Sequence, residues 1–136
     1  MLSETATIEE IRELFAKDIF ATKACGATIV SGEKGHSVCE MEITDIHLNA
    51  MGNVMGGAIF TLADFALAIA CNVGETLTVA INNTIEYMNA PRGNKLIAEC
   101  TTDKSGRTVG FYTVKVTDDT GTLVAKMAAT CSRKGA

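Results

Sequence analysis

The sequence lacks any concentrated block of basic residues. Its 136 residues include 12 Lys and Arg against 16 Asp and Glu, which gives a formal net charge of −4 at pH 7. A protein that binds nucleic acid needs a basic patch to neutralise phosphates, so this composition argues against such a partner. With 47% hydrophobic and 21% charged residues, the chain instead has the composition of an ordinary globular protein, expected to form one domain over residues 1–136.

The five cysteines are odd in number, widely spaced and without any C-x-x-C pair. A zinc site or a disulfide framework normally shows paired cysteines at short spacings. Free thiols are typical of a reducing compartment, and the N-terminal MLSETATIEE is polar and acidic rather than a secretory signal. We therefore expect a cytoplasmic protein without a metal site.

No Lys or Arg occurs between Lys34 and Arg92, a stretch that contains the longest apolar run of the chain. Residues 54–73 are numerous enough to cross a bilayer, so a membrane span is a competing interpretation. Against it, the run has no flanking positive charge, a Gly-Gly pair near its start and an acid, Asp64, at its centre. A buried helix outside a membrane is favoured.

The predicted helix over 54–73 is apolar on every face. Between Ala58 and Ala70, only Thr61 and Asp64 are not apolar. This pattern predicts a helix that is buried on all sides. A carboxylate in such a place is costly to ionise unless another group interacts with it. Asp64 is therefore a candidate for chemistry, and a structural carboxylate satisfied by a hydrogen bond is the alternative.

The rest of the chain has the pattern of one short helix and six strands. Thr7 and Glu10 form a capping box at the start of an amphipathic helix over 7–19. Strands are predicted over 22–31, 36–44, 77–87, 95–103, 107–117 and 122–132. Alternation along the third of these strands predicts one shared face for Leu77, Val79, Ile81, Asn83, Ile85 and Tyr87. The order of elements predicts an α+β fold in which an antiparallel sheet wraps around the 54–73 helix.

Three motifs stand in or near this helix and the strand after it: residues 49–57 (NAMGNVMGG), 62–64 (LAD) and 85–91 (IEYMNAP). Together they resemble the signature of the PaaI-like, phenylacetate-pathway group of hotdog-fold acyl-CoA thioesterases. The resemblance extends over about residues 8–132. It implies a hotdog fold and a homodimer with one continuous sheet, often paired into tetramers. It also implies hydrolysis of an acyl-CoA, in which CoA is part of the substrate and no metal or redox cofactor is used.

The resemblance assigns roles to particular residues. Asp64 is the catalytic carboxylate, which either attacks the thioester carbonyl or activates a water molecule. The backbone N–H of Gly56 holds the oxyanion, and Asn49 helps to place the thioester or the water. Met55 and Gly57, on either side of Gly56, are expected to contact the substrate. In the family Asp64 and Gly56 come from opposite subunits, so a monomer is expected to be inactive.

The spacing of Gly56 and Asp64 agrees with a shared site. Eight residues of helix correspond to about 12 Å, which is too far for one carbonyl group to touch both within one chain. A two-fold axis can bring the acid of one chain to the helix start of another. The free N–H groups of a helix start stabilise the negative charge that develops on a thioester oxygen.

Several positions depart from the family pattern. Met55 replaces the usual histidine and cannot form its hydrogen bonds. Ala68 and Ala80 stand where some relatives carry a Ser or Thr that holds the water, and Asn82 or Asn83 is a candidate replacement. These departures keep open a non-catalytic acyl-CoA-binding protein. A hotdog enoyl-thioester hydratase or dehydratase is a second alternative, but it needs an acid–base partner, usually a histidine, beside the acid.

The phosphates of CoA require positive charge nearby. Arg92, Lys104 and Arg107 lie in predicted loops or at strand ends, and each is a candidate for CoA binding with an ordinary solvated charge as the alternative. His36 and His47 have no partners spaced for a metal or a catalytic triad. Both are expected to be structural or surface residues.

Overall fold

The computed structural model describes residues 1–135. Its helices and strands are α1 (Ile8–Phe15), β1 (Ala27–Glu33), β2 (His36–Glu42), α2 (Gly56–Asn72), β3 (Thr78–Tyr87), β4 (Lys95–Ser105), β5 (Val109–Asp118) and β6 (Leu123–Arg133). Two short turns complete the order, a π-helical turn at Phe20–Ala24 before β1 and a 3-10 turn at Asp45–His47 before α2. One short helix, one long helix and six strands agree with the prediction.

The six strands form one antiparallel sheet in the order β1-β2-β4-β5-β6-β3. Helix α2 packs against one face of this sheet and contacts every strand in it. An antiparallel sheet with one apolar face needs such a cover to remove that face from water. The predicted α+β architecture, a sheet wrapped around one long helix, is confirmed. Within residues 1–135, no helix is long and apolar enough to span a membrane.

Strand β2 shows how the sheet meets the helix. Its side chains alternate between the two faces of the sheet, with Ser37, Cys39 and Met41 buried toward α2. The Ser37 hydroxyl donates a hydrogen bond of 2.6 Å to the carbonyl of Ala66, in the middle of α2. A buried hydroxyl needs such a partner, so this bond satisfies Ser37 and fixes the strand against the helix.

The region after α1 differs from the prediction. Helix α1 begins with the predicted capping box but ends at Phe15, earlier than expected. The segment predicted as the start of a strand over 22–31 forms the π-helical turn instead, so β1 begins only at Ala27. In this turn the N–H of Cys25 donates to the Phe20 carbonyl at 2.9 Å. A backbone amide that is bonded locally is not available to the sheet, which explains the late start of β1.

The prediction that the long helix is buried on every side is wrong. The buried residues of α2 are Ile59, Leu62, Ala63, Phe65, Ala66, Leu67, Ile69, Ala70, Cys71 and Asn72. On the remaining face Gly57 and Asp64 are exposed, and Thr61 and Ala68 are partly buried. The spacing i, i+4, i+7 and i+11 puts these four residues in one stripe. The sheet of a single chain does not reach around to this stripe, and Asp64 lies within it.

Strand β3 is an edge of the sheet and carries a bulge. Its register against β6 shifts between Ala80 and Asn82. Because a bulge inserts one residue, the side-chain alternation is out of phase on its two sides. The prediction of one shared face from Leu77 to Tyr87 is therefore wrong: Leu77 is exposed, whereas Asn83 is partly buried and directed at α2.

The five cysteines are all buried, and none forms a disulfide within residues 1–135, as their spacing predicts. Burial raises the pKa of the Cys39 and Cys100 thiols to about 12, so both stay protonated at neutral pH. Over the same residues, no group of three or more His, Cys, Asp or Glu side chains is arranged to hold a metal ion. The cysteines are therefore part of the core.

Candidate active site

Asp64 lies in a cleft of about 390 Å³ between α2 and the segment that follows α1. The apolar residues of its walls are Ile19, Phe20, Ala21, Phe60, Phe65 and Ala68. Its charged residues besides Asp64 are Lys17 and Asp18. The acid thus stands at the side of a mostly apolar recess of the size that small ligands occupy, about 300–1,000 Å³.

Asn83 is the polar side chain that reaches the acid. Its Nδ2 donates to Oδ1 of Asp64 at 3.5 Å. Its own Oδ1 is buried and has no hydrogen-bond partner within residues 1–135. Asn82, the other candidate from the sequence, accepts a 3.4 Å hydrogen bond from the Thr84 hydroxyl and has no hydrogen bond to Asp64 within residues 1–135. An unpaired buried carbonyl oxygen beside a carboxylate is a place where a water molecule can donate a hydrogen bond.

The pKa of the Asp64 carboxyl is raised above its usual value. Partial burial is the largest cause, and the negative charge of Asp18 adds to it, while the hydrogen bond from Asn83 lowers the pKa. A carboxylate with a raised pKa is a stronger base than one in water. Groups with such shifts inside a cleft are frequent in active sites.

Asp118 provides a contrast, because it is a carboxylate with a structural role. It is buried and accepts hydrogen bonds of 2.6–2.9 Å from four backbone N–H groups, those of Arg92, Gly93, Thr120 and Thr122. Burial by itself would raise its pKa, but these donors and the Thr120 hydroxyl hold the pKa well below its usual range. Asp64 has no comparable set of donors within residues 1–135, so its environment does not resemble that of a structural acid.

The start of α2 presents two backbone N–H groups, those of Gly56 and Gly57, without an acceptor in the described part of the chain. The next two amides, of Ala58 and Ile59, both donate to the Met55 carbonyl, at 3.0 and 3.3 Å. Met55 itself provides no side-chain cap. Unpaired amides at the positive end of a helix dipole form a site for negative charge.

Tyr87, at the end of β3, holds this helix start in position. Its hydroxyl donates a 3.0 Å hydrogen bond to the Gly56 carbonyl. A Cβ atom at Gly56 would lie only 3.1 Å from the Tyr87 ring, so the glycine allows the ring to lie against the first helical turn. Gly56, Ile59, Tyr87 and residues 88–91 line a second cleft, of about 290 Å³.

Asp64 and the start of α2 line different clefts of one chain. The cleft beside Asp64 includes neither Gly56 nor Gly57, and the cleft beside Gly56 does not include Asp64. Along the helix axis the two positions are about 12 Å apart. A single chain therefore does not bring the carboxylate and the free amides to one reacting carbonyl group.

Asn49 closes the loop that leads into α2. Its Oδ1 accepts hydrogen bonds from the N–H groups of Met51 and Asn53, at 3.0 and 3.1 Å, and its own N–H donates to the Asn53 carbonyl at 2.7 Å. This is the turn-forming use of asparagine. The side-chain nitrogen of Asn49 takes no part in the turn, and its predicted contact with a substrate stays a prediction.

Neither histidine lines the cleft of Asp64. His47 is buried, with Nδ1 accepting from the Thr44 N–H at 3.0 Å and Nε2 donating to the Cys25 carbonyl at 2.7 Å. His36 is partly exposed on the sheet and pairs with surface glutamates. Both are structural or surface residues, as predicted. Neither supplies the acid–base partner that a hydratase would need.

The three predicted CoA-binding cations are exposed, and Arg92 lies apart from Lys104 and Arg107. Arg92 follows Pro91, which lines the cleft at the helix start. Lys104 and Arg107 lie at the other end of β4, around its turn into β5. From Lys95 to Lys104 is about 30 Å of strand, so one chain does not bring Arg92 together with the other two.

Several residues of the two clefts were not predicted as functional. Phe60 lies one turn before Asp64, and the i, i+4 spacing could have identified it as a neighbour. Tyr87 stands inside the IEYMNAP motif, which is a second available signal. Asp18 and Phe20 carry no signal in the sequence, because their approach to α2 depends on the π-helical turn.

The chain matches a known protein family. The model of the Thioesterase superfamily matches residues 51–125, a range that includes the start of α2, Asp64 and Asn83. Human acyl-coenzyme A thioesterase 13 is 30% identical over 131 residues, which cover 93% of this chain and 94% of that protein. The acyl-coenzyme A thioesterase PaaI of Escherichia coli is 32% identical over 114 residues, which cover 83% of this chain and 81% of that protein.

Solved structures agree with these relatives. The structure of E. coli PaaI, from the phenylacetic acid degradation operon, has a TM-score of 0.82 and 27% identity, covering 95% of this chain and 97% of that one. The structure of smu.793 from Streptococcus mutans, bound to acetyl CoA, has a TM-score of 0.73 and 30% identity. The match covers 79% of this chain and 91% of that one. The predicted hotdog fold is confirmed. The chain belongs to the thioesterase superfamily, as a PaaI-like hotdog-fold thioester hydrolase.

Proposed function

We propose that this thioesterase hydrolyses an acyl-CoA to a carboxylic acid and free CoA, with Asp64 as the catalytic carboxylate and the Gly56 N–H as the oxyanion donor. The observation that carries the proposal is the division of these groups between two clefts of one chain. The first holds an acid of raised pKa and the second holds unpaired amides. Two chains related by a two-fold axis supply both groups to one thioester.

The reaction has two possible forms at Asp64. As a general base, Asp64 takes a proton from water while the water oxygen bonds to the thioester carbonyl carbon. As a nucleophile, Asp64 itself bonds to that carbon, and water then hydrolyses the resulting anhydride. In both forms the carbonyl electron pair moves onto oxygen and then returns. Its return breaks the C–S bond, and the departing CoA thiolate takes a proton from Asp64 in the general-base form or from solvent water in the nucleophilic form.

The helix start stabilises the charge on the carbonyl oxygen. The Gly56 N–H of one chain donates to this oxyanion, and removal of one such donor typically lowers the rate by about 100- to 1,000-fold. Gly57 and Met55 lie on either side of Gly56 and contact the thioester group of the substrate. Asn49 presents its side-chain nitrogen from the preceding loop. Asn83 takes the water-holding position, because its buried Oδ1 lacks a hydrogen-bond partner among residues 1–135.

An acyl-CoA substrate is supported by the names of the relatives. Human acyl-coenzyme A thioesterase 13 and E. coli PaaI are both named for this activity, and the S. mutans structure contains acetyl CoA. Arg92 on the helix-start side is proposed to meet the CoA phosphates, with Lys104 and Arg107 approaching from a second chain. A cytoplasmic location fits the five free thiols, because reduced cysteines persist in a reducing compartment.

The proposed dimer forms along β3. This strand pairs with β6 on one side and ends the sheet of a single chain on the other. Leu77, Val79 and Ile81 on or beside it are 50%, 36% and 59% exposed. An open edge with apolar side chains is a template for pairing with another strand. Two β3 edges that pair antiparallel give one continuous sheet, and two such homodimers give the proposed homotetramer.

A non-catalytic acyl-CoA-binding protein is the second candidate, favoured by one observation. Met55 is 52% exposed at the helix start, where the family pattern has a histidine, and it forms no hydrogen bond there. The Gly56 amide is independent of that side chain, so we still expect catalysis. Met55→His, which restores the family residue, is expected to leave the rate unchanged or increase it. Tight binding of an acyl-CoA without turnover would favour the binder.

The experiment that tests the proposal is release of free thiol from a panel of aryl and aliphatic acyl-CoAs. We expect hydrolysis by the natural chain and none by Asp64→Asn. Asp45→Asn is the matched control, because Asp45 is exposed and makes no side-chain hydrogen bond or ion pair within residues 1–135. A folded dimer that hydrolyses no member of the panel, or an Asp64→Asn variant that retains the rate, would contradict the proposal.

A further inference from the structure

The cleft beside Asp64 has the character of a pocket for an uncharged group. Its opening is bordered by Ile19 and Phe20, which are 60% and 67% exposed despite being large and apolar. Phe60 forms part of the wall on α2, and Ala68 leaves room one turn beyond the acid. Exposed aromatic and aliphatic side chains around a recess favour an apolar ligand.

Asp18 introduces a second negative charge into the same cleft. It lies on the segment between α1 and the π-helical turn, opposite Asp64. Lys17 is the one cation among the cleft residues, and it forms no ion pair with either acid within residues 1–135. Asn83, which reaches in from β3, is neutral. The cleft therefore carries two acids against one base, without an internal pair that cancels either acid.

The charge of Asp18 acts at the position of Asp64. After partial burial, it is the next cause of the raised pKa of the Asp64 carboxyl. The negative charge that disfavours ionisation of Asp64 also repels any other carboxylate that enters the cleft. An acyl group with a carboxylate at its far end would place a third negative charge there.

We propose that the acyl group occupies this cleft and that Asp18 makes the enzyme reject acyl groups that end in a carboxylate. This inference rests on the proposed thioesterase reaction and adds a residue that selects among acyl groups, Asp18, which excludes those with a terminal carboxylate. Asp18 acts on substrate choice and does not take part in the bond changes at the thioester. In a partly solvated cleft, repulsion between two nearby like charges is typically large enough to change kcat/KM by about tenfold.

The test compares two thioesters of equal chain length, hexanoyl-CoA and adipoyl-CoA, which differ by a terminal carboxylate. We expect the natural chain to prefer hexanoyl-CoA by at least about tenfold in kcat/KM. Asp18→Asn is expected to reduce this preference by about tenfold, because loss of the Asp18 charge favours adipoyl-CoA alone, whereas the accompanying fall in the pKa of Asp64 affects both thioesters alike and leaves their ratio unchanged. Glu13→Gln is the matched control, since Glu13 is an exposed acid of α1 that does not line the cleft. We expect the Glu13→Gln variant to prefer hexanoyl-CoA by the same factor as the natural chain.

Salt provides a readout that needs no variant. Added salt screens charges in contact with solvent, so the preference of the natural chain is expected to fall as ionic strength rises. The preference of Asp18→Asn is expected to depend much less on salt. Asp18→Ser serves as a second variant with the same expected result if Asp18→Asn fails to fold.

Three outcomes would overturn the inference. The natural chain could hydrolyse adipoyl-CoA as fast as hexanoyl-CoA, or Asp18→Asn could keep the natural preference. Lys17→Met could produce a loss of adipoyl-CoA turnover, which would assign the cleft a role in attracting acidic groups. Hydrolysis of neither thioester by the natural chain is a different result, because it contradicts the proposed function itself.

Discussion

Asn83 and Asp64 are joined across the space between β3 and α2 by a hydrogen bond of 3.5 Å from Nδ2 to Oδ1. The contact depends on the bulge at Ala80 and Asn82, which turns the following side chains of β3 toward the helix. Bulges often re-aim a side chain beside an active site. Asn83 thus donates to Asp64 through Nδ2, and its buried Oδ1 has no hydrogen-bond partner in the described part of the chain.

We expect Asn83→Ala to shift the pH dependence of hydrolysis. The hydrogen bond from Asn83 lowers the pKa of Asp64, so its loss raises that pKa further. The acidic limb of the kcat/KM profile then moves to higher pH. Loss of a hydrogen bond of about 1 kcal/mol also lowers the rate by about fivefold on this limb. Asn82→Ala is the matched control, and equal profiles for the two variants would contradict the role of Asn83.

We expect Asp64→Asn to keep or slightly raise the melting temperature at neutral pH while it removes activity. A carboxyl whose pKa is raised in the folded chain ionises more readily when unfolded, so its stability contribution falls as pH rises through its titration range. The uncharged amide of the Asp64→Asn variant does not titrate, so the variant does not lose this stability as pH rises. The difference in Tm should vanish below about pH 3.9, where the carboxyl is protonated in both states.

Calorimetric unfolding of the natural chain and Asp64→Asn, at neutral pH and near pH 3, measures this difference. A structural carboxylate gives the opposite sign, because loss of its charge removes favourable hydrogen bonds. Asp118→Asn is a useful comparison, since Asp118 accepts hydrogen bonds from four backbone amides. We expect its Tm to fall at neutral pH. A similar fall for Asp64→Asn would identify Asp64 as structural.

The oxyanion role of Gly56 is testable with a pair of substitutions. Proline is well tolerated at the first position of a helix, and the extended backbone of Met55, with ψ of 138°, is compatible with a following proline. Gly56→Pro therefore removes the N–H and retains the helix, whereas Gly56→Ala retains the N–H. Both variants add a Cβ at 3.1 Å from the Tyr87 ring.

We expect Gly56→Pro to lower kcat by about 100- to 1,000-fold relative to Gly56→Ala, because only the proline removes the oxyanion donor. Steady-state hydrolysis measures kcat for both variants, and circular dichroism shows whether both are folded. Equal activity in two equally folded variants would rule out this amide as the donor.

Local features of the fold could be predicted from the sequence, because they depend on residues close together in the chain. The capping box of Thr7 and Glu10 forms as expected, with the Thr7 N–H donating to Glu10 Oε1 at 2.9 Å. The buried face of β2 also follows from simple alternation, as Ser37 and Met41 show. The site motif likewise identified the helix that carries Asp64.

Features that depend on distant contacts could not be predicted. Asn82 and Asn83 are equivalent in the sequence, and only the bulged register against β6 decides which of them reaches Asp64. The approach of Asp18 to Asp64 depends on the π-helical turn, whose residues also suit a strand. The sheet leaves one stripe of α2 uncovered because it extends only part of the way around the helix. The amino-acid composition of the helix does not show how far the sheet extends.

The shared site is tested most directly by mixing two inactive variants, Asp64→Asn and Gly56→Pro, during co-expression or refolding. Random pairing makes about half of the dimers mixed, and each mixed dimer has one site with an intact acid and an intact amide. The shared-site account predicts recovery of about a quarter of the natural activity from two preparations that are inactive alone. Mixed dimers without activity would mean that each chain uses its own Asp64 and Gly56, and would contradict the account.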